Sequence, residues 1–284
     1  MSNVYKLTLS CKDRPGVVAK IAGLIFEVGG NVLEAQQFSD LATGRFFLRT
    51  VFDLGGAARG LVEARFREIA CEYAMEWRLR PLHEKRKVLL LSSKSDHCLG
   101  DLLYRMRIGE MDMEVVGVVS NHPREVLTTS LIGEIPYHHF PLSKETKLEQ
   151  EAQIRRVIEK TGAELVVLAR YMQILSNDLS EHLFGRCINI HHSFLPGFKG
   201  AKPYAQAHAR GVKMIGATAH YVTADLDEGP IIAQDVEQIS HSDSPNDLVR
   251  KGRDIERRVL AHAVRCHLED RVFIDGARTV VFQD

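Results

Sequence analysis

Asn189 and His191 stand two residues apart in CINIHHSFLPG, where a short apolar run gives way to a glycine- and proline-rich loop. Residues two apart on a strand share a face, so an amide and an imidazole should point the same way from the run's carboxyl end. Past the strand-like KMIGATAHYV comes an acidic turn, DLDEGPII, carrying Asp227. An amide donor, an imidazole and a carboxylate converging from adjacent loops can polarise a carbonyl, stabilise its oxyanion and move a proton. Taken alone, Asn189 and His191 suit a structural place at a strand end better; Asp227 and the surrounding motif turn the reading toward catalysis. His192 should face away from His191, as a supporting hydrogen-bonder or a packing group. His220 reads as a satisfied buried histidine. His138-His139 has no carboxylate at ligand spacing, so no metal is expected. Ser193 lacks a GxSxG elbow and reads as a loop hydrogen-bonder. RKGRDIERR at 250–258 reads as a solvated helix face.

The elements that must position these groups fall into two patterns. Residues 4–80 read β-α-β-β-α-β, the order of a ferredoxin-like sandwich. VYKLTLS alternates like a half-buried strand; Asp13 and Pro15 are placed to open a helix carrying Val17, Ile21, Leu24 and Val28 on one face. Asn31–Ser39 and Arg45–Phe52 read as strands around a Thr43-Gly44 turn. Val62, Phe66, Ile69 and Tyr73 mark a second helix, and MEWRLRPL a last strand. The polar PLHEKRK at 81–87 divides the chain into domains of 1–82 and 83–284. Beyond it, the apolar runs Val88–Leu91, Val115–Val119 and Leu165–Leu168 alternate with helical stretches at 97–107 and 146–160, the pattern of a mostly parallel, Rossmann-like sheet. Ser244-Pro245-Asn246-Asp247 should start a long final helix.

Composition narrows the classes. Lys+Arg and Asp+Glu are 37 each, which gives no general pull toward nucleic acid or anionic membrane. No apolar run approaches a membrane span and MSNVYK does not read as a signal peptide. Five scattered cysteines without a CxxC pair argue against a disulfide framework and for a reducing cytoplasm.

NIHHSFLP at 189–196, LARYMQILS at 168–176 and the DLDEGPII segment resemble the folate-dependent formyltransferases. The doubled His191-His192, GFKGAKPY, IGATAHYVTADLDEGPII and the β-α-β-β-α-β start are closer still to the formyltetrahydrofolate deformylases, whose amino-terminal unit is an ACT domain. That resemblance implies hydrolysis of 10-formyltetrahydrofolate to formate and tetrahydrofolate, serving purine synthesis and the one-carbon pool, with folate as substrate and no cofactor. It makes Asn189, His191 and Asp227 the catalytic set. Asn189 and protonated His191 would hold the oxyanion, while Asp227 would orient the imidazole and water. An aspartate beside a histidine favours the imidazolium. Met172, Gln173, Ile174 and Leu175 would line the folate cleft, with His192, Gly200 and Tyr204 beside it. The ACT resemblance implies an amino-acid effector, methionine or glycine, near Asp13, Arg14, Pro15, Gly16, Gly30 and Asn31, and a homo-oligomer, with a tetramer expected.

One departure bears on the acceptor. Where glycinamide ribonucleotide transformylases carry a glycine-rich phosphate loop, this chain reads LLLSSKSDHCLGDLL, in which Gly100 comes late and Asp96 would repel a phosphate. Water is then the remaining acceptor. The competing readings are a formyltransferase to an amine and a non-catalytic folate and amino-acid sensor.

Overall fold

The computed structural model describes residues 3–143, 145–197 and 203–284, in two compact units. The first contains β1 (Val4–Lys12), α1 (Val17–Glu27), β2 (Asn31–Asp40), β3 (Arg45–Asp53), α2 (Arg59–Tyr73) and β4 (Glu76–Pro81). Its antiparallel sheet has the order β2-β3-β1-β4. Val17, Ile21 and Leu24 of α1 and Val62 and Phe66 of α2 pack on it with Leu7, Leu9 and Phe52. Asp13 does not cap α1: the helix starts four residues later, with Gly16 at its N-cap at φ 94° and no side-chain cap.

The alternation in β1 predicts one wet face, yet Lys6, Thr8 and Ser10 are buried too. The reason lies at the far end of the sequence, because Asp270–Phe273 and Val280–Asp284 cluster with this first unit. Asp270 pairs with Lys6 at 3.1 Å, Phe273 meets Phe47 edge-on at 5.6 Å, and Phe282 packs on Phe273. The expected second domain, 83–284, takes in the whole carboxyl end, whereas the two compact units share it.

The second unit comprises Lys85–Glu269 and Ile274–Thr279. It runs β5 (Arg86–Ser92), α3 (His97–Arg107), β6 (Met113–Ser120), β7 (Tyr137–His139), α4 (Lys147–Thr161), β8 (Leu165–Leu168), α5 (Asn177–His182), β9 (Cys187–His191), α6 (Pro203–Arg210), β10 (Met214–Tyr221), β11 (Ile231–Gln238) and α7 (Pro245–Leu268). The sheet order is β11-β10-β9-β8-β5-β6-β7. β7, β6, β5, β8 and β9 are parallel, and β10 and β11 complete the edge antiparallel. Val88–Leu91 and Leu165–Val167 are fully buried, as strands covered on both faces require. Ser244 and Asp247 form a capping box at the start of α7, as the Ser-Pro-Asn-Asp signature demands. A last hairpin, β12 (Val272–Asp275) and β13 (Arg278–Val281), turns through the two-residue loop Gly276-Ala277, with Gly276 at φ 61°.

Candidate active site

β9 delivers Asn189 and His191 to the carboxyl end of the parallel strands, where open α/β sheets place their ligand crevices. The antiparallel register sets Asn189 opposite His220 and His191 opposite Thr218. Thr218 ties the following loop down: its hydroxyl donates to the Ser193 carbonyl at 2.9 Å and accepts from Leu195 N at 3.0 Å. Ser193 donates to the Gly197 carbonyl at 2.7 Å, the loop role expected of it.

Asp227 arrives from the turn between β10 and β11 with φ 57°, a left-handed angle uncommon for a residue with a side chain. Two residues on, Gly229 passes so close to the Tyr221 carbonyl that no Cβ would fit. The Asp227 carboxylate lies 3.2 Å from His191 Nδ1 and 3.7 Å from His220 Nε2. Burial alone would push its carboxyl up; the hydrogen bond to His191 and the proximity of His220 hold it well below the usual carboxylate range. With Nδ1 turned to the carboxylate, the buried Nε2 of His191 has no hydrogen-bond partner among the described residues. Asn189 Nδ2 lies 3.3 Å from His220 Nε2, which leaves its second N–H free.

His220 is thus a fourth member of the group. Its Nδ1 donates to the Tyr221 carbonyl at 2.8 Å, so it is satisfied and buried as expected, but its other nitrogen faces Asn189 and Asp227. Only the pairing register, invisible in a single sequence, sets it there.

His192 departs from the expected geometry. Strand alternation stops at His191, and the two rings stack with centroids 5.2 Å apart and planes 17° from parallel. His192 Nδ1 accepts a hydrogen bond from Arg170. Tyr204 is buried and gives its hydroxyl to Glu256 at 2.6 Å. Met172 and Ile174 are exposed on the loop after β8 and Gln173 is half-buried, whereas Leu175 packs in the core with Ile154 and Leu179. Gly200 lies outside the described residues. A cavity of about 380 Å³, lined by groups including His192, Phe194, Tyr204, Ile215 and Val236, includes none of Met172–Leu175.

In the first unit, Arg14 lies over the Tyr73 ring at 3.7 Å and donates to the Glu72 carbonyl. Asp13–Gly16 and Gly30-Asn31 flank opposite ends of the eleven-residue α1, about 16 Å apart at helical rise. The structure does not bring them into one pocket within the chain.

The basic run on α7 is not all solvated: Gly252, Ile255 and Glu256 are buried. Among the described residues, His97, Cys98 and Glu256 have donor atoms within 4.8 Å of one another. Burial and the Glu256 charge push the Cys98 thiol well up, so it stands protonated beside the carboxylate. Arg170 already balances Glu256 at 3.3 Å. The cluster reads as an ionic one rather than a metal site. Asp96, after β5, accepts from Thr128 N at 2.6 Å and Thr129 N at 2.8 Å, so its carboxylate is held by backbone N–H groups.

The formyl transferase family matches residues 86–264 and the ACT domain family residues 5–60. A formyltetrahydrofolate deformylase of Corynebacterium sp. (strain P-1) is 51% identical over 98% of both chains. The chain belongs to the formyltetrahydrofolate deformylase family. The crystal structure of the deformylase from Burkholderia mallei ATCC 23344 superposes with a TM-score of 0.94 at 50% identity, covering 99% of this chain and 100% of that one. The glycinamide ribonucleotide transformylase 1 of Symbiobacterium toebii superposes at 0.64 and 30% identity, covering 71% of this chain and 95% of that one. No helix among the described residues is long and apolar enough to cross a membrane.

Two predictions follow from how this deformylase-family site is packed. Burial, then the charge of Arg170, lowers the His192 pKa from 6.5 to about 4. The unfolded chain therefore binds the extra proton first, so the stability that neutral His192 contributes is complete above pH 6.5 and is lost as pH falls toward 4. The loss is on the order of 3 kcal/mol. Urea titrations at pH 7 and 4.5 should show a fall in the wild type that His192→Gln reduces; equal falls would refute it. The second concerns Gly252, where an added Cβ would run into the Tyr204 ring. Gly252→Ala should cost about 1–3 kcal/mol by overpacking, read as a lower urea midpoint.

Proposed function

We propose that this chain hydrolyses 10-formyltetrahydrofolate to formate and tetrahydrofolate, through Asn189, His191 and Asp227. The observation that carries the reading is a buried imidazole with Nδ1 on a carboxylate and Nε2 unpartnered, beside an amide with a free N–H. Water's oxygen bonds to the formyl carbon while its proton passes to His191, whose imidazole Asp227 orients and balances. The Asn189 N–H and the imidazolium hold the oxyanion. The C–N10 bond then breaks, N10 takes a proton, and formate leaves. Met172, Gln173 and Ile174, on the loop after β8, are the folate contacts this reading keeps; Leu175 supports them from the core.

The enzyme acts in the cytoplasm without metal or cofactor, supplying formate for purine synthesis and returning tetrahydrofolate to the one-carbon pool. Its ACT unit binds a small amino acid, methionine or glycine, and joins copies into a homotetramer. The uncapped start of α1 suits a carboxylate, and the edge strand β2 exposes Val32, Leu33 and Phe38. Incubating the full chain with 10-formyltetrahydrofolate and no acceptor should release formate and tetrahydrofolate in equal amounts. No formate release overturns the assignment.

A further inference from the structure

The winding of the seven-stranded sheet reverses between β5 and β8, and such a switch point is where an open α/β sheet opens a ligand crevice. Here the opening is filled from within. Arg170 follows β8, and its carbonyl accepts from Ser93 N, just past β5, at 3.2 Å. His97 begins α3, Tyr204 comes from α6 and Glu256 from α7. Glu256 is 1% exposed and its carboxylate gathers all three: His97 Nε2 at 2.8 Å, the Tyr204 hydroxyl at 2.6 Å and Arg170 Nε at 3.3 Å. The guanidinium also donates to His192, whose ring stacks on His191. The cluster therefore borders the reacting groups without containing one of them.

Arg170 is also strained. Its φ of 66° is one that glycine adopts freely and side chains avoid. A glycine would relieve the backbone and empty the crevice, leaving the Glu256 carboxylate to face whatever entered.

We infer that Arg170, clamped by Glu256, is a plug that keeps a primary amine from approaching the formyl carbon and so restricts the acceptor to water. This rests on the hydrolytic reading above and deepens it into a specificity determinant. In the excluded reaction an amine nitrogen would attack the formyl carbon and the C–N10 bond would break. N10 would take the proton the amine loses, giving a formamide and tetrahydrofolate with no change in oxidation state. Glu256 is suited to bind the amine end of such an acceptor once the guanidinium is gone.

The test uses the full chain, 10-formyltetrahydrofolate and glycinamide as the probe amine, with an enzyme-free control, and reads N-formylglycinamide against formate. The wild type should yield formate alone, and glycinamide should leave its rate unchanged. Arg170→Gly should raise the ratio of formyl transfer to hydrolysis at least about tenfold, the scale on which reshaping a pocket changes discrimination. Arg170→Gly/Glu256→Gln, which removes both charges together, should lose that gain because the amine no longer has a carboxylate to meet. A folded Arg170→Gly that releases formate with an unchanged ratio overturns the plug. So does a wild type that formylates glycinamide or is competitively inhibited by it, a result that needs no variant. A wild type that releases no formate defeats the hydrolytic reading instead.

Discussion

Asp227→Asn should lower the rate of formate release by about 10³–10⁴ and change the KM for folate little. The carboxylate is 3.2 Å from His191 Nδ1 and cannot be replaced by an isosteric amide. An amide N–H turned toward Nδ1 selects the wrong tautomer, and an amide oxygen cannot balance the imidazolium that forms as water loses its proton. The turn itself should survive, because its left-handed angle at 227 is one that asparagine tolerates. Steady-state kinetics on a variant with an unaltered circular dichroism spectrum is the measurement. A loss below about tenfold, less than one oxyanion donor is worth, would remove Asp227 from the chemistry.

The second large effect is on stability. Glu256→Ala should cost about 3–5 kcal/mol, the scale for breaking a buried pair by removing one partner. Arg170, 13% exposed at its side chain, would lose the carboxylate beside it, and the Tyr204 hydroxyl would lose its acceptor. Glu256→Gln should cost less, since its amide oxygen still accepts from Tyr204 and the volume is kept. Trp77, the sole tryptophan, sits in the first unit, so its fluorescence is the wrong probe for this change. Urea denaturation followed by far-UV circular dichroism, to which both units contribute, is the right one. An Ala variant within about 1 kcal/mol of wild type, the value of an exposed pair, would mean the cluster is open to water.

Much of this architecture is legible in the residues because it depends on local periodicity. The unbroken apolar runs at 88–91 and 165–168 read directly as strands covered on both sides, and Ser244-Pro245-Asn246-Asp247 as a helix start. Asn189 and His191 are legible for the same reason, since strand alternation sets them on one face. His220 is not, because its place depends on which residue of β9 it opposes. The Arg170–Glu256 cluster is hidden for a stronger reason. Arg170 sits inside a motif whose informative residues are its neighbours Met172–Leu175, and Glu256 inside a basic run that reads as a solvated helix face. The burial of Lys6 could not be read from β1 either, because its partner Asp270 lies more than two hundred residues away.

That last separation has a consequence for synthesis. On a ribosome, residues 1–84 emerge with one side of their sheet bare, and the segments that cover it are translated only after residue 269. A nascent chain arrested between those points should bind a hydrophobic dye and be cut readily by protease in its leading portion, until elongation through Phe282 supplies the missing side.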